Sequence, residues 1–231
     1  SNFFKKKKKR INGKVINNKE TCPIFNKNSS TPKLKFDHQK PFGTKKLFAI
    51  DRNLLSCFGF PQYGVHLNGW SFKNKNYYLH LAKRSEKLYD FPGLYDNLVA
   101  GGQPLGLSIY KNLRKEAYEE AGLIKIKIKN LIKSKTINYF HEHKNKVHSG
   151  IIFIYHLKIN DEKFTNIDGE VENFESINAM NIYKLLELKL LKPNCIIPIA
   201  DFFLTFMSDL FPKKAILELR NLFESISEKI R

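Results

Sequence analysis

The sequence predicts a mixed α/β (α+β) protein, and three observations carry that reading. Short alternating runs mark strands, apolar residues at helical spacing mark helices, and the two kinds of segment are interleaved along the chain. Residues 63–70 and 77–84 read as two strands joined by a short Lys-Asn turn. Residues 98–100 should end a strand that delivers a glycine-rich stretch. A helix follows, with Ser108 as N-cap, Gly122 as left-handed C-terminal cap, and Ile109, Leu113 and Ala117 as its apolar stripe. IKIKIK at 124–129 alternates without a break and predicts a strand with one buried face. Residues 136–140 and 147–159 predict a hairpin around the polar tip HEHKNK. In that tip His141 and His143 could ligate a metal, although a solvated turn is the simpler reading. Residues 180–191 suggest a helix, followed by the apolar run 196–206. Ile216, Leu219, Phe223, Ile226 and Ile230 then recur at helical spacing, which predicts an amphipathic helix used as core cover or as a homodimer contact.

Composition bounds the possibilities. A chain of 231 residues with 42% hydrophobic content and 19 phenylalanines can bury one sizeable core. The apolar runs fall short of the roughly 20 residues that span a bilayer, and the longest, 195–207, is broken by Pro198 and Asp201. Three scattered cysteines without CxxC spacing point to free thiols in a reducing compartment, hence a cytoplasmic location. Because the first residue is Ser1, import into an organelle with loss of a leader stays open as an expectation. The net charge of +18 is unevenly spread: residues 1–46 hold 14 Lys and Arg against Glu20 and Asp37 alone. We therefore expect 1–46 to be a basic, flexible segment and 47–231 to be the folded domain. The run KKKKKR at 5–10 reads foremost as a solvated tail, with nucleic-acid or membrane-surface contact as its functional alternative. Elsewhere nucleic acid is not an expected partner.

The segment GGQPLGLSIYKNLRKEAYEEAGL at 101–123 carries the chemistry. Glu116, Glu119 and Glu120 stand at i, i+3 and i+4, so a helix gathers them on one face. Carboxylates that close repel one another unless a cation sits among them, and hard divalent ions such as Mg²⁺ prefer such oxygens. Gly101, Gly102 and Gly106 ahead of the helix allow close backbone approach and offer amides to a phosphate. On its own, EAYEEAG would read as a solvated acidic face with a glycine cap. Loop and helix together read as a metal-dependent site for cutting a diphosphate of a small molecule.

The same residues resemble the Nudix box. That family carries a glycine and a glutamate in a loop, then Arg-Glu-apolar-x-Glu-Glu-x-Gly-apolar on a helix. KEAYEEAGL at 115–123 is similar to the second half, with Lys115 in place of the arginine. The first half departs: the loop is one residue short and Ser108 stands near the place of the usual glutamate. The wider wording resembles one Nudix branch, the proteins related to thiamine pyrophosphokinase, through FGFPQYGVHLNG at 58–69, AKRS at 82–85, FPG at 91–93, DGEVENF at 168–174, KPNC at 192–195 and DFF at 201–203. The likeness covers roughly residues 47–206. Members of that branch tend to carry a glutamate where this chain has Lys111.

The resemblance implies an α/β/α sandwich with a mixed β-sheet. It also implies a hydrolase that cuts the diphosphate bond of thiamine diphosphate derivatives, oxidised or damaged ones above all, to the monophosphate. Glu116, Glu119 and Glu120 would hold Mg²⁺, or Mn²⁺ in its place. Lys115 would steady a glutamate, without the bidentate fork of arginine. Glu170 or Glu172 would add a ligand or the general base. Gly101, Gly102, Gly106, His66, Trp70 and Arg84 are candidate substrate contacts, though a hydrogen-bonded sheet histidine is an equal reading of His66 and core filling is the preferred reading of Trp70. Two alternatives stay in view: another nucleoside diphosphate substrate (ADP-ribose, a nucleotide sugar or capped RNA), or a weakened Nudix domain that only binds, with a basic tail that contacts nucleic acid.

Overall fold

A computed structural model of the chain describes residues 9–11, 14–16, 20–25, 36–124, 126–143, 146–160 and 163–228. At the N-terminus, β1 (Lys9–Ile11) pairs with β2 (Lys14–Ile16), and β3 (Thr21–Ile24) pairs with β4 (Phe48–Asp51). The main sheet has the order β11–β6–β5–β10–β9, built from β5 (Gln62–Lys73), β6 (Asn76–Arg84), β9 (Leu131–His143), β10 (Lys146–Lys158) and β11 (Val171–Asn178). Two short strands complete it: β7 (Tyr95–Asn97) lies on β6 and β8 (Val99–Gly102) on β5. β5 and β10 run parallel and the other pairs antiparallel, so the sheet is mixed.

Side-chain alternation along the strands divides the core in two. Tyr63, Val65 and Leu67 of β5, with Phe153 and Tyr155 of β10, meet the apolar stripe of α1 (Ile109–Ala121), whose Ile109, Leu113 and Ala117 are fully buried. Trp70 on the opposite face of β5 packs with α2 (Ile182–Glu187) and α3 (Ile196–Phe206). Ile152 and Ile154 of β10 sit under Phe223, Leu219 and Ile226 of α4 (Lys213–Glu228). Helices thus cover both faces of the sheet. Of that stripe, Leu219, Phe223 and Ile226 serve as core cover, and Ile230 lies outside the described residues.

Two expectations are corrected. IKIKIK does not form a strand. Ile126 is buried, Ile124 is 72% exposed, Lys125 lies outside the described residues, and 128–130 is a 3-10 turn. No described strand pairs with the run, and alternation without a partner has no ladder to join. The second correction concerns the expected boundary at residue 46. Phe25, Phe36 and Phe42 close an aromatic cluster with Tyr63 and Phe153, at centroid separations of 5.0 Å for Phe42–Tyr63 and 5.1 Å for Phe36–Phe153. Cys22 and Ile24 pack on Leu55. Residues 20–25 and 36–46 are therefore built into the domain. The first eight residues, with most of the basic run, lie outside the described residues, as do the His141 and His143 side chains.

Candidate active site

The site grows from the β8–α1 connection. Gln103 donates from Nε2 to the carbonyls of Pro104 and Leu107, and Gly106 turns the chain with a φ of 90°. Ser108 caps α1 by accepting from Lys111 N at 3.2 Å, and Gly122 closes it at φ 70°, as the sequence predicts. Asn112 Nδ2 donates to the Gly102 carbonyl at 2.8 Å and locks the helix to the strand. The N-terminal segment supports the same turn: Gly106 N donates to Phe42 O, Leu105 N to Thr21 O and Tyr110 N to His38 O.

Those bonds change the part the glycines play. The first-turn amides of Tyr110 and Lys111 and the amide of Gly106 already have acceptors, so they are not waiting for a phosphate. Gly101 and Gly102 belong to β8 itself, opposite Val65 and Gly64. What they supply is room. A Cβ on Gly101 would stand 2.3 Å from Glu116 Cγ, and one on Gly102 2.5 Å from the central carbon of the Arg52 guanidinium.

The three α1 carboxylates divide between two partners. Glu120 is buried and accepts from Ala100 N at 2.8 Å. Glu116 is also buried. It shares Lys115 with Glu119, Nζ lying 2.7 Å from Glu116 and 3.0 Å from Glu119. Burial first, then the Glu116 charge, push the Glu120 carboxyl well above the ordinary range. Glu116 is raised as well, because its burial outweighs the pull of Lys115. Among the described residues no group of three or more His, Cys, Asp or Glu side chains converges on a metal position. The donor chemistry nonetheless fits a hard divalent ion, for two buried carboxylates here share too little positive charge. An ion held by Glu116 and Glu119 would compete with Lys115 for them.

Beside Glu120 lies a small cavity whose walls include Arg84, Asp96, Asn97, Ala100 and Glu170. Of the two candidates in DGEVENF, Glu170 therefore reaches this wall, while the exposed Glu172 pairs with Lys83 at 3.4 Å. Arg84 donates to the Phe91 and Asp90 carbonyls and lies 3.5 Å from Asp96. Asp96 is buried and takes Lys192 at 2.6 Å. Burial alone would raise the Asp96 carboxyl, but Lys192, His66 and Arg84 bring it below its usual value.

His66 starts a buried chain of polar side chains. Its Nδ1 lies 2.7 Å from Asn97 Oδ1, and Asn97 Nδ2 donates to Asn68 Oδ1 at 2.8 Å. Asn68 Nδ2 continues to His156 Nδ1 at 3.2 Å, and His156 Nε2 to Asp201 Oδ2 at 2.8 Å. Burial lowers the His66 pKa to about 4. Trp70 stands apart from this site: its ring packs on Phe206 at 4.7 Å and on Phe202 at 6.0 Å, so it fills the core. Sequence reading missed Arg52, Glu20, Asp96, Asn97 and Lys192. Only Lys192 carried a signal, as part of KPNC.

Fold and site together define a mixed α/β domain with an acidic helix laid against a glycine-bearing strand. No family model matches the chain. It is 32% identical over 163 residues to a curated Arabidopsis thaliana protein, Nudix hydrolase 24, chloroplastic, a match that covers 70% of this chain and 45% of that one. Nudix hydrolase 20, chloroplastic, from the same plant is also 32% identical, with 70% and 44% covered. The chain thus spans less than half the length of these relatives. A solved Deinococcus radiodurans structure is similar at 15% identity over 74% of this chain and 91% of that one, with a TM-score of 0.48. The curated relatives support placing the chain in the Nudix hydrolase family.

Proposed function

We propose that the chain is a divalent-metal-dependent Nudix diphosphate hydrolase acting on thiamine diphosphate derivatives, oxidised or damaged ones in particular, to give the monophosphate. The observation that carries the chemistry is the pair of buried carboxylates, Glu116 and Glu120, set against β8 with Glu170 on the adjoining wall. Glu116, Glu119 and Glu120 would hold Mg²⁺ or Mn²⁺, which when bound neutralises charge on the diphosphate oxygens and activates water. Lys115 steadies the acids until then. Glu170, which lines the same cavity as Glu120, would take a proton from water or complete the ligand set. Arg84 and Asp96 form a polar wall on which a substrate can be oriented. The branch wording at 58–69, 168–174 and 192–195 supports the thiamine diphosphate class, and the two chloroplastic relatives favour an organellar location over the cytoplasm. Among the described residues no helix is long and apolar enough to cross a membrane.

A second reading, a domain that binds without cutting, is favoured by the closure of Lys115 on Glu116 and Glu119. Purified protein with Mg²⁺ is to be screened against oxidised thiamine diphosphates, ADP-ribose, nucleoside triphosphates and capped RNA, with released monophosphate scored after phosphatase treatment. The highest kcat/KM is expected for the oxidised thiamine diphosphates, and the E119Q/E120Q double variant should lose about a hundredfold or more in rate. Preference for ADP-ribose or capped RNA by about tenfold would overturn the substrate class, since polar recognition separates analogues by at least that much. Wild-type turnover in the double variant would overturn the metal assignment.

A further inference from the structure

The cations that line the site are almost all spent. Lys115 serves Glu116 and Glu119, Lys192 serves Asp96, and Arg84 is divided between two carbonyls and Asp96. Arg52 differs. It opens the 3-10 turn after β4, and its backbone N–H is pinned to the Glu20 carbonyl at 2.9 Å. Its side chain makes one bond among the described residues, from Nη1 to Glu20 Oε2 at 2.9 Å, which leaves Nε and Nη2 as available donors. The side chain is 45% exposed, yet its guanidinium lies so close over Gly102 that a Cβ there would collide with it. One residue back along β8, Glu116 fills the space over Gly101. Successive strand residues face opposite ways, so Glu116 and Arg52 flank the end of β8 from its two sides.

A diphosphate brings charge into a site that is already acidic, and a planar fork of donors is well matched to phosphate oxygens. We propose that Arg52 is the residue that grips the diphosphate, taking an oxygen of one phosphoryl group with Nε and Nη2 while Glu20 holds Nη1 and fixes the plane. The proposal rests on the diphosphate reading above and assigns Arg52 a positioning part. The absence of a side chain at Gly102 is what lets the guanidinium lie against the end of β8, across the strand from Glu116.

The test is binding of methylenediphosphonate, which is not hydrolysed, to the full chain in Mg²⁺ buffer by titration calorimetry, with kcat and KM measured alongside. Arg52→Gln should weaken binding about tenfold or more and raise KM with a smaller effect on kcat. Arg52→Lys should fall between, for it keeps the charge without the fork. Glu20→Gln breaks the same ion pair and should bind within about threefold of wild type, because the donors toward phosphate remain. Equal losses in Arg52→Gln and Glu20→Gln would show that the pair is merely structural and overturn the proposal. So would unchanged binding in Arg52→Gln, or no binding by wild type. If Arg52→Gln does not fold, Arg52→Lys decides: affinity equal to wild type overturns the assignment. Arg52-dependent binding without turnover would instead fail the hydrolase reading and leave this one standing.

Discussion

The Lys115 ammonium lies between two carboxylates of its own helix, 2.7 Å from Glu116 and 3.0 Å from Glu119. The surrounding protein lowers the pKa of this lysine through burial, but the two glutamates raise it further than burial depresses it. It therefore occupies, as a point charge, ground that a divalent ion would contest.

Lys115→Gln should lower stability by about 1–2 kcal/mol in chelator, because two acids lose a charged hydrogen-bond donor. Added Mg²⁺ should then raise the melting temperature more in the variant than in wild type, as ion and lysine no longer compete. Thermal melts with and without Mg²⁺ check this. An equal response in both proteins would mean that the ion does not bind among these acids.

Gly101→Ala places a methyl 2.3 Å from Glu116 Cγ. The backbone there is ordinary, so the cost lies in displacing the glutamate. We expect about 1–3 kcal/mol of destabilisation by overpacking, and a loss of hydrolysis larger than that of Glu119→Gln alone. Chemical denaturation and rate measurements on the same preparation separate the two effects.

His38 predicts a pH dependence. It is hydrogen-bonded to Tyr155, and burial lowers its pKa from 6.5 to about 4. The unfolded chain thus takes up a proton in a range where the folded one does not. Stability contributed by the neutral ring is present above pH 6.5 and drains away as pH falls toward 4. His38→Gln should melt with a shallower slope across that window; an unchanged slope would place the His38 titration elsewhere.

Phe42→Ala should cost about 3–5 kcal/mol, since Phe42 is 4% exposed and touches Phe25, Phe36, Tyr63 and Phe153. Removal of residues 1–46 should yield protein that no longer melts cooperatively. Calorimetry on the shortened chain is the check, and a sharp transition near the wild-type midpoint would return this segment to the status of a tail.

These expectations show which parts of the fold were legible. The α1 helix and both its caps could be read because Ser108, the apolar stripe and Gly122 act over one to four residues. IKIKIK misled because alternation records which face would be buried, not whether a partner strand exists. Phe36 and Phe42 sit singly among polar neighbours, so no period announces them; only the folded sheet brings them to Tyr63. Glu20 and Arg52 are 32 residues apart and belong to no shared motif. The carboxylate helix, with Lys115 on it, was visible as a local pattern, whereas the pairing of Arg84 and Lys192 with Asp96 and of Arg52 with Glu20 is set by tertiary contacts.

The buried chain from His66 to Asp201 has a direction. Asn97 donates to Asn68 with its amide nitrogen, so only its oxygen is left for His66, and the neutral imidazole must turn its N–H that way. Nε2 of His66 is then a lone pair, held so from a carboxylate on the far helix. Whatever meets that edge must arrive with a hydrogen to give, such as an amine or an amide, and an oxyanion would be turned away. Five side chains in line thus give one ring nitrogen a fixed polarity, and the fold has chosen which kind of atom may approach it.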